Sequence, residues 1–347
     1  MLTVAAAAMA CLFVGAFAQS NAPNYQLLTT IAVPDGLAGF DISWADGSNS
    51  RYYLADHTAT PGTGRIDVVD TQAMTLLGTI PGFAGTVPNP APGCGASGPT
   101  GVVAIPQLHQ LYVGDGDSSV KVVDTVAQRV INKIPTGGNC RADELAYDAA
   151  DHIIVIANDQ DSPPFLTFIS TDTQSVLDRY TYPPSQIGHG LEQPVWNPKN
   201  DRFYQAVPRI PDVNTGSIDI INPLTRQVER SLLTSCSPAG LVLTPSQRLK
   251  TSCGETFDAI TGDRLGRTED PVVAADQLWY SPGDNNYYFG FFNGILGGRG
   301  CAVVDANTNQ LLTFIPASTH TLAADPNYNR IFIPVSGSGI QVWAAVH

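Results

Sequence analysis

Basic residues are scarce in this sequence: its 347 residues include 18 Lys and Arg against 31 Asp and Glu, a formal net charge of −13 at pH 7. A surface this acidic repels the phosphate backbone of nucleic acids and the headgroups of anionic membranes. We therefore expect neither a nucleic acid nor a membrane as partner. A small organic molecule or a cation is compatible with the charge.

The sequence also lacks the motifs of several common chemistries. It has no His-x-x-x-His or close Cys pair for zinc, no Gly-x-Ser-x-Gly for a serine hydrolase, and no nucleotide-cofactor loop. The cysteine spacing of haem and iron–sulfur sites is missing. We expect no cofactor. Ca²⁺ or another divalent cation is the alternative, because carboxylates occur near carbonyls and amides.

Long apolar runs are confined to the N-terminus. Residues 1–20 are mostly small or apolar, and Ala16-Phe17-Ala18 is a small-x-small cleavage pattern. This predicts a signal peptide, and hence a protein that is secreted or enters the lumen of the secretory pathway. No later segment is long enough to cross a bilayer. We expect residues 21–347 to form a single domain and the protein to be a monomer.

What the sequence does contain is a short apolar strand that recurs at intervals of about 46 residues, the signature of a β-propeller with one four-stranded blade per repeat. The last repeat stops without a fourth strand, and Gln26–Ile31 has the pattern to supply it and close the ring. The sequence thus predicts an all-β fold, a seven-bladed propeller. The copies begin at Tyr52, Leu111, Ile153, Phe203, Leu249, Tyr287 and Ile331.

The second repeat carries the most specific pattern. Leu111–Asp115, Val120–Thr125 and Lys133–Gly137 resemble the YVTN-repeat family of β-propellers, whereas the fifth repeat departs most at Lys250–Cys253. The resemblance spans essentially the whole mature chain and implies seven blades but no single activity. In size, signal peptide and absence of a cofactor motif, the sequence is also similar to secreted fungal propellers linked to tropolone-sesquiterpenoid hetero-Diels–Alder cyclisation.

Five cysteines follow the signal segment, and an oxidising compartment favours disulfides. Cys236 and Cys253 flank one predicted hairpin, so we pair them. Cys94 and Cys140 lie in equivalent loops of neighbouring repeats, and we pair these as well. Cys301 is left over at an inward strand position, which favours a buried, inert thiol over a nucleophile.

The repeats also predict where a site lies. In a propeller, the starts of the inner strands and the ends of the second strands share one face. Most long insertions in this sequence fall on that face, where binding usually occurs. The polar residues predicted to converge there are Asp41, Arg141, Asp143, Glu144, Glu192, Gln193, Asp276, Gln277, His320 and Thr321 from inner-strand starts, and Asp56, His57, Asp115, Asp117, Asn158, Asp159 and Asp161 from second-strand ends.

Neighbouring carboxylates raise one another's pKa, which is a marker of functional sites. We interpret Asp115 and Asp117 as structural, because they belong to a tight turn. An apolar insertion beside the channel predicts a pocket for a largely apolar molecule, and an Arg could hold an oxyanion. The catalytic candidates are Asp41, Arg141, Glu144, His189, Glu192 and His320, and the substrate-binding candidates are Arg209, Phe291, Phe292 and Ile295.

These features lead to three hypotheses. The first is a cofactor-independent enzyme of lyase, isomerase or cyclase type that acts on a small organic substrate at the channel mouth, with hetero-Diels–Alder cyclisation as the specific case. The second is a metal-dependent lactonase of the gluconolactonase-like type, with Asp41, Glu144, Glu192 and His320 around one divalent ion. The third is a secreted, non-catalytic binding module.

Overall fold

Seven four-stranded antiparallel sheets make up the molecule, as the repeats predict. Each inner strand contacts the inner strand of the next sheet, and the seventh contacts the first, so the sheets close into a propeller around a central channel. Pro106–Leu108 forms a short 3₁₀ helix. The computed structural model describes residues 23–87, 90–95, 97–188, 190–211, 215–268, 275–291, 300–317 and 319–346.

The first four blades are continuous in sequence, and their strands are given from the channel outwards. Blade 1 consists of Phe40–Asp46, Arg51–Asp56, Gly64–Asp70 and Thr75–Phe83. Blade 2 consists of Val102–Ile105, Gln110–Asp115, Ser119–Asp124 and Arg129–Pro135. Blade 3 consists of Leu145–Asp148, Ile153–Asn158, Phe165–Ser170 and Ser175–Thr181. Blade 4 consists of Pro194–Asn197, Arg202–Val207, Ser217–Asn222 and Gln227–Leu233.

Blades 5 and 6 have shorter strands, and blade 7 combines both ends of the chain. Blade 5 consists of Leu241–Leu243, Arg248–Thr251, Glu255–Asp258 and Arg264–Arg267. Blade 6 consists of Leu278–Ser281, Asn286–Phe289, Cys301–Asp305 and Leu311–Ile315. Blade 7 consists of Ala323–Asp325, Arg330–Val335, Gly339–Val346 and Asn24–Ile31. A separate short ribbon pairs Gly85–Thr86 with Ser97–Gly98.

The N-terminal strand completes the last blade, which confirms the prediction from Gln26–Ile31. Asn24–Ile31 runs antiparallel to Gly339–Val346, the third strand of blade 7. The hydroxyl groups of Tyr25 and Tyr288 lie 2.9 Å apart and link this outer strand to blade 6. The first and last strands of the chain therefore hold the ring closed and cover what would be an open sheet edge.

The core lies between adjacent blades rather than within one sheet. The second strand of blade 3, Ile153–Asn158, is buried at every position, because both faces of its sheet pack against neighbouring blades. The outer strand Ser175–Thr181 is exposed or half-buried throughout. This arrangement explains why apolar, β-branched residues run continuously through the second and third strands of most repeats.

Blade 5 departs from that pattern at Lys250, which is fully buried. Its ammonium group donates 2.7 Å hydrogen bonds to the Gly254 carbonyl and the Thr268 hydroxyl and lies 5.7 Å from the centre of the Tyr287 ring. Burial lowers the pKa of Lys250 to about 7. A polar, fully hydrogen-bonded lysine here takes the place of an apolar strand residue and links blades 5 and 6.

Both predicted disulfides are present, Cys94–Cys140 and Cys236–Cys253. Cys301 is free and buried, and burial raises the pKa of its thiol well above the ordinary value. Within the described ranges, no helix has the length and apolarity to cross a membrane. The disulfides are compatible with an oxidising, extracellular environment.

Candidate functional site

Equivalent positions of several blades meet at one end of the channel. The carbonyl groups of Glu144, Gln193 and Gln277 each accept a hydrogen bond from the second strand of their own blade, at 2.9–3.1 Å. These three side chains therefore project at the same level of blades 3, 4 and 6. The acids Asp143, Glu192 and Asp276 precede them by one residue. Inner-strand starts thus form the polar end of the channel, as the sequence predicts.

Blades 2 and 5 contribute glycine at this level, Gly101 and Gly240. A Cβ atom on Gly240 would lie 2.8 Å from the carbonyl oxygen of Asp276, and one on Gly101 would collide with the carbonyl oxygen of Asp143. The close approach of neighbouring inner strands thus excludes a side chain at both positions. Blades 2 and 5 therefore supply no side chain at the level of Glu144, Gln193 and Gln277.

A cavity of about 300 Å³ opens at this end of the channel, and we call it the acid mouth. Five of the six catalytic candidates line it: Asp41, Arg141, Glu144, Glu192 and His320. His189 lies outside the described residues. The other lining residues are Phe40, His57, Asp143, Asp276 and Gln277.

Arg141 is the centre of charge in the acid mouth. Its guanidinium group lies 2.7 Å from Asp143, 3.1 Å from Asp159 and 3.3 Å from Asp41. Burial opposes its charge, but these three carboxylates raise the pKa of Arg141 well above its ordinary value. Most of its hydrogen-bond donors are engaged by carboxylates. The geometry therefore indicates that Arg141 neutralises buried carboxylates and has few N–H donors left to bind a substrate oxyanion.

Asp41 stays ionised despite its burial. Burial raises the pKa of Asp41, but the hydrogen bond with His320 and the charge of Arg141 outweigh it and bring the pKa down to about 2. His320 Nε2 lies 3.6 Å from one Asp41 oxygen, and His57 Nε2 lies 3.9 Å from the other. The His320 ring also stacks on Phe40, with the ring centres 5.0 Å apart. Asp41 is thus a fixed carboxylate between two imidazoles.

The pKa values of Glu144 and Glu192 are raised, whereas that of Asp41 is lowered. Burial, reinforced by the neighbouring acid Asp276, raises the pKa of Glu192 to about 8. Burial and the charges of Asp143 and Glu192 raise the pKa of Glu144 well above its ordinary value. One Glu144 oxygen accepts a hydrogen bond from the Gln277 amide, and the other is buried without a hydrogen-bond partner among the described residues. Both glutamic acids are therefore shifted towards the protonated, neutral form.

His57 is held neutral beside them. Burial lowers the pKa of His57, and the nearby Asp41 carboxylate only partly opposes this effect. His57 belonged to the converging polar set predicted from the sequence but not to the catalytic candidates, and the same is true of Asp143, Asp159 and Asp276. For Asp143 and Asp276, the sequence does contain a signal that could have selected them. Both occupy the same place in their repeats as the catalytic candidate Glu192.

A second cavity of about 480 Å³ adjoins the acid mouth and shares Arg141 and Glu192 with it. Pro163, Pro164, Pro184 and Ile187 give this cavity an apolar side. The Cys94–Cys140 disulfide anchors its Gly93 wall directly beside Arg141. The two cavities together provide a polar end and a less polar end for one bound molecule.

The predicted substrate-binding residues are placed differently. Arg209 is exposed and packs against Gly188 at the edge of the second cavity without lining it. Phe291 is 1% exposed and packs in the core of blade 6 against Phe289, because its backbone bridges to Thr319. Its side chain faces the core and lines neither cavity. Phe292 and Ile295 lie outside the described residues.

The residues interpreted as structural do form an ion-pair network away from the acid mouth. Asp115 is fully buried and pairs with Lys121, and Asp117 bridges Lys121 and Lys133. Across the described ranges, no group of three or more His, Cys, Asp or Glu side chains is arranged to hold a metal ion. In the acid mouth, the guanidinium of Arg141 supplies the positive charge that the carboxylates require.

Comparison with known proteins supports the fold alone. No protein-family model matches the chain, and no curated protein matches it. A solved structure of hydrazine synthase from Kuenenia stuttgartiensis is similar, with a TM-score of 0.68 and 12% identity over 91% of this chain and 97% of that one. A chain from a mitotic checkpoint complex gives a TM-score of 0.66 and 12% identity over 100% of this chain and 98% of that one.

Proposed function

We propose that this protein is a secreted, cofactor-independent enzyme that uses the carboxyl groups of the acid mouth to protonate or polarise a small organic substrate. The observation that carries the proposal is the unpartnered oxygen of Glu144, buried in a cavity that Glu192 and Arg141 also line. A carboxyl group that keeps its proton in the wall of a cavity can serve as a general acid.

The acid and base roles follow from the opposite pKa shifts within this cavity. Glu192, with its pKa raised to about 8, keeps its proton at neutral pH, while Asp41, with its pKa lowered to about 2, has lost its proton. Environments that push two carboxyl groups apart in this way separate an acid from a base. Glu144 and Glu192 would donate, and Asp41, through His57 or His320, would accept.

The reaction class is a lyase, isomerase or cyclase step, with hetero-Diels–Alder cyclisation as the specific proposal. In such a cyclisation, a heterodiene and an alkene form one C–C and one C–O bond, and no atom leaves. A hydrogen bond from Glu144 or Glu192 to the heterodiene oxygen would lower its barrier, and the two adjoining cavities would hold both reactants. The similarity to secreted fungal propellers linked to this chemistry supports the choice.

The acid role is tested without knowing the natural substrate. In protein labelled with ¹³C at the carboxyl groups, we expect one glutamate to titrate near pH 8 by NMR, and this titration to vanish in Glu192→Gln. Exposed Glu229, which pairs with Arg202, provides the matched control, because Glu229→Gln should leave that titration in place. If every glutamate titrates below about pH 5, the proposal fails.

Cyclase activity is tested with an ortho-quinone methide generated in situ and ethyl vinyl ether. The uncatalysed product is racemic, so the readout is enantiomeric excess by chiral chromatography. We expect an excess with the wild-type protein and a fall of about 10²-fold in the catalysed rate with Glu144→Gln. Racemic product at the background rate would refute the cyclase. A lactonase would instead open a γ-lactone and lose activity with EDTA, and a binding module would do neither.

A further inference from the structure

The opposite end of the channel holds a third cavity, of about 380 Å³, formed where the inner strands end. Three tryptophans, Trp44, Trp196 and Trp279, line it together with Tyr147 and Tyr280. We call this cavity the aromatic mouth. All five rings are half-buried, so each keeps part of its surface open to the cavity. Half-exposed aromatic rings gathered in one concave site are typical of small-molecule pockets.

A narrow section separates the aromatic mouth from the acid mouth. Its volume is about 20 Å³, and Ser43, Glu144, Gln193 and Gln277 are among its walls. That space holds about one water molecule. A ligand in the aromatic mouth therefore does not reach Glu192 or Arg141, and the two ends of the channel can be occupied independently.

The rings are fixed in place by packing. Trp44 and Trp279 meet edge to face, with ring centres 5.4 Å apart and an angle of 87° between their planes. Trp196 packs on Phe203 at 4.8 Å. Because these contacts hold the indoles before any ligand arrives, little side-chain entropy remains to be lost on binding. The walls between them are aliphatic, including Val195 and Leu243.

None of the described residues that line the aromatic mouth carries a charge. Its polar groups are partly engaged already, since Tyr280 donates to Asn285 at 3.0 Å and the Gln193 side chain accepts from the Leu241 amide at 2.9 Å. An anion entering this cavity would lose hydration without gaining a counter-charge. A neutral, flat ring system would instead contact indole faces and edges.

We propose that the aromatic mouth is a binding site for a neutral aromatic molecule of two or three fused rings. The volume falls in the range of small-molecule pockets, and the uncharged lining selects against anions in a protein whose net charge is −13. This site is independent of the function proposed for the acid mouth, because other residues form it.

The probe for the test is 2-naphthol, which is neutral at pH 7. Isothermal titration calorimetry gives its affinity, and the indole N–H signals of a ¹H–¹⁵N spectrum give its location. The chain has four tryptophans. We expect the signals of Trp44, Trp196 and Trp279 to shift. Trp343 should not shift, because it is buried in blade 7 and its indole N–H donates to Gln341 at 2.9 Å.

Three further compounds test the chemical class. Naphthalene-2-sulfonate and 2-naphthyltrimethylammonium carry opposite charges on the same rings, and decahydro-2-naphthol removes the aromaticity. We expect the sulfonate to bind roughly tenfold more weakly or worse, the ammonium compound to bind no more tightly than 2-naphthol, and the saturated alcohol to bind more weakly than 2-naphthol. Equal affinity for the sulfonate, or tighter binding of the ammonium compound, would overturn the neutral-ligand proposal, and equal affinity for the saturated alcohol would overturn the aromatic one.

Variants locate the site. Trp279→Leu should weaken 2-naphthol binding roughly tenfold, whereas Trp343→Phe, a tryptophan removed elsewhere, should leave it unchanged. Ala104→Trp adds a large side chain at the half-buried edge of the cavity without removing a ring, and it should block binding. This variant tests the site independently if Trp279→Leu fails to fold. Undiminished affinity in Ala104→Trp, or no indole shift with 2-naphthol at millimolar concentration, would overturn the proposal.

Discussion

The acid mouth and the aromatic mouth lie at the two ends of one channel, yet their chemistry is opposite. Asp41 and Trp44 are three residues apart on one strand, about 10 Å at the rise of a β-strand. One end gathers buried carboxyl groups around a single guanidinium, and the other gathers uncharged rings. The two ends of this propeller channel are therefore separate sites, because different positions of each repeat line them.

The largest expected effect comes from breaking the acid mouth at its centre. Arg141→Met leaves Asp41, Asp143 and Asp159 without their common cation, and we expect unfolding in urea at pH 7 to show a loss of about 3–5 kcal/mol. Arg141→Lys keeps the charge and should lose less. An equal loss in both variants would show that charge is not what Arg141 supplies.

The stability of Arg141→Met should also depend on pH differently from that of the wild-type protein. In the wild-type protein the depressed pKa of Asp41 contributes stability that is present above its unfolded pKa near 4 and is lost as the pH falls towards 2. Arg141→Met should flatten that dependence, so the deficit relative to wild type should shrink in acid. A deficit that stays constant from about pH 7 to pH 3 would contradict the ion-pair account.

Loss of the Cys94–Cys140 disulfide, which lies beside Arg141, should change the acid mouth but not the aromatic mouth. Replacing both Cys94 and Cys140 by serine opens a loop of 46 residues, and we expect a loss of about 2–4 kcal/mol in thermal or chemical unfolding. The carboxyl titration near pH 8 should also shift, while 2-naphthol binding should not. The double serine variant of Cys236 and Cys253 is the matched control, because that pair borders neither cavity.

Glu192→Gln should remove the loss of stability that the wild-type protein undergoes as the pH rises through the neutral range. Since folding raises the pKa of Glu192 to about 8, wild-type stability falls between about pH 5 and pH 8, where the unfolded chain has released a proton that the folded chain retains. The variant should gain on the order of 2 kcal/mol relative to wild type at pH 8, since water still reaches this half-buried group. Parallel pH curves for the two proteins would rule this out.

The smallest effect is expected at the aromatic mouth. Tyr280→Phe removes only the hydrogen bond to Asn285, so we expect a change of about 0.5–1 kcal/mol with no dependence on pH between about 5 and 8. Chemical unfolding at several pH values measures both features. A clear pH dependence in this variant would mean that the two ends of the channel are electrostatically coupled.

Much of the fold could be predicted from the sequence, because blade packing imposes apolar strands at a fixed period. That period placed Ile153 and Phe203 in equivalent strands, and the missing outer strand of blade 7 pointed to Gln26–Ile31. The convergence of Asp41, Glu144 and Glu192 followed from the same logic. All three depend on backbone topology, which the repeat determines.

Side-chain partnerships could not be predicted in this way. Nothing in the sequence assigns Arg141 to three carboxylates, because Asp41 is 100 residues away and the pairing depends on where neighbouring blades meet. Phe291 was misplaced as a pocket residue since its segment resembled a free insertion, whereas its backbone bridges to Thr319. Trp44 and Trp279 were visible as strand residues, but the cavity between them depends on the spacing of the blades.

The pairing of Asn24–Ile31 with Gly339–Val346 has a practical consequence for handling the protein. Asn24 lies opposite Val346, so the two described ends of the chain emerge side by side at the rim of the disc. Three strand spacings, about 14 Å, separate that rim strand from the inner strand of its blade. A biotin tag or a fused reporter at either end would therefore tether the molecule by its periphery and leave both openings accessible to solution.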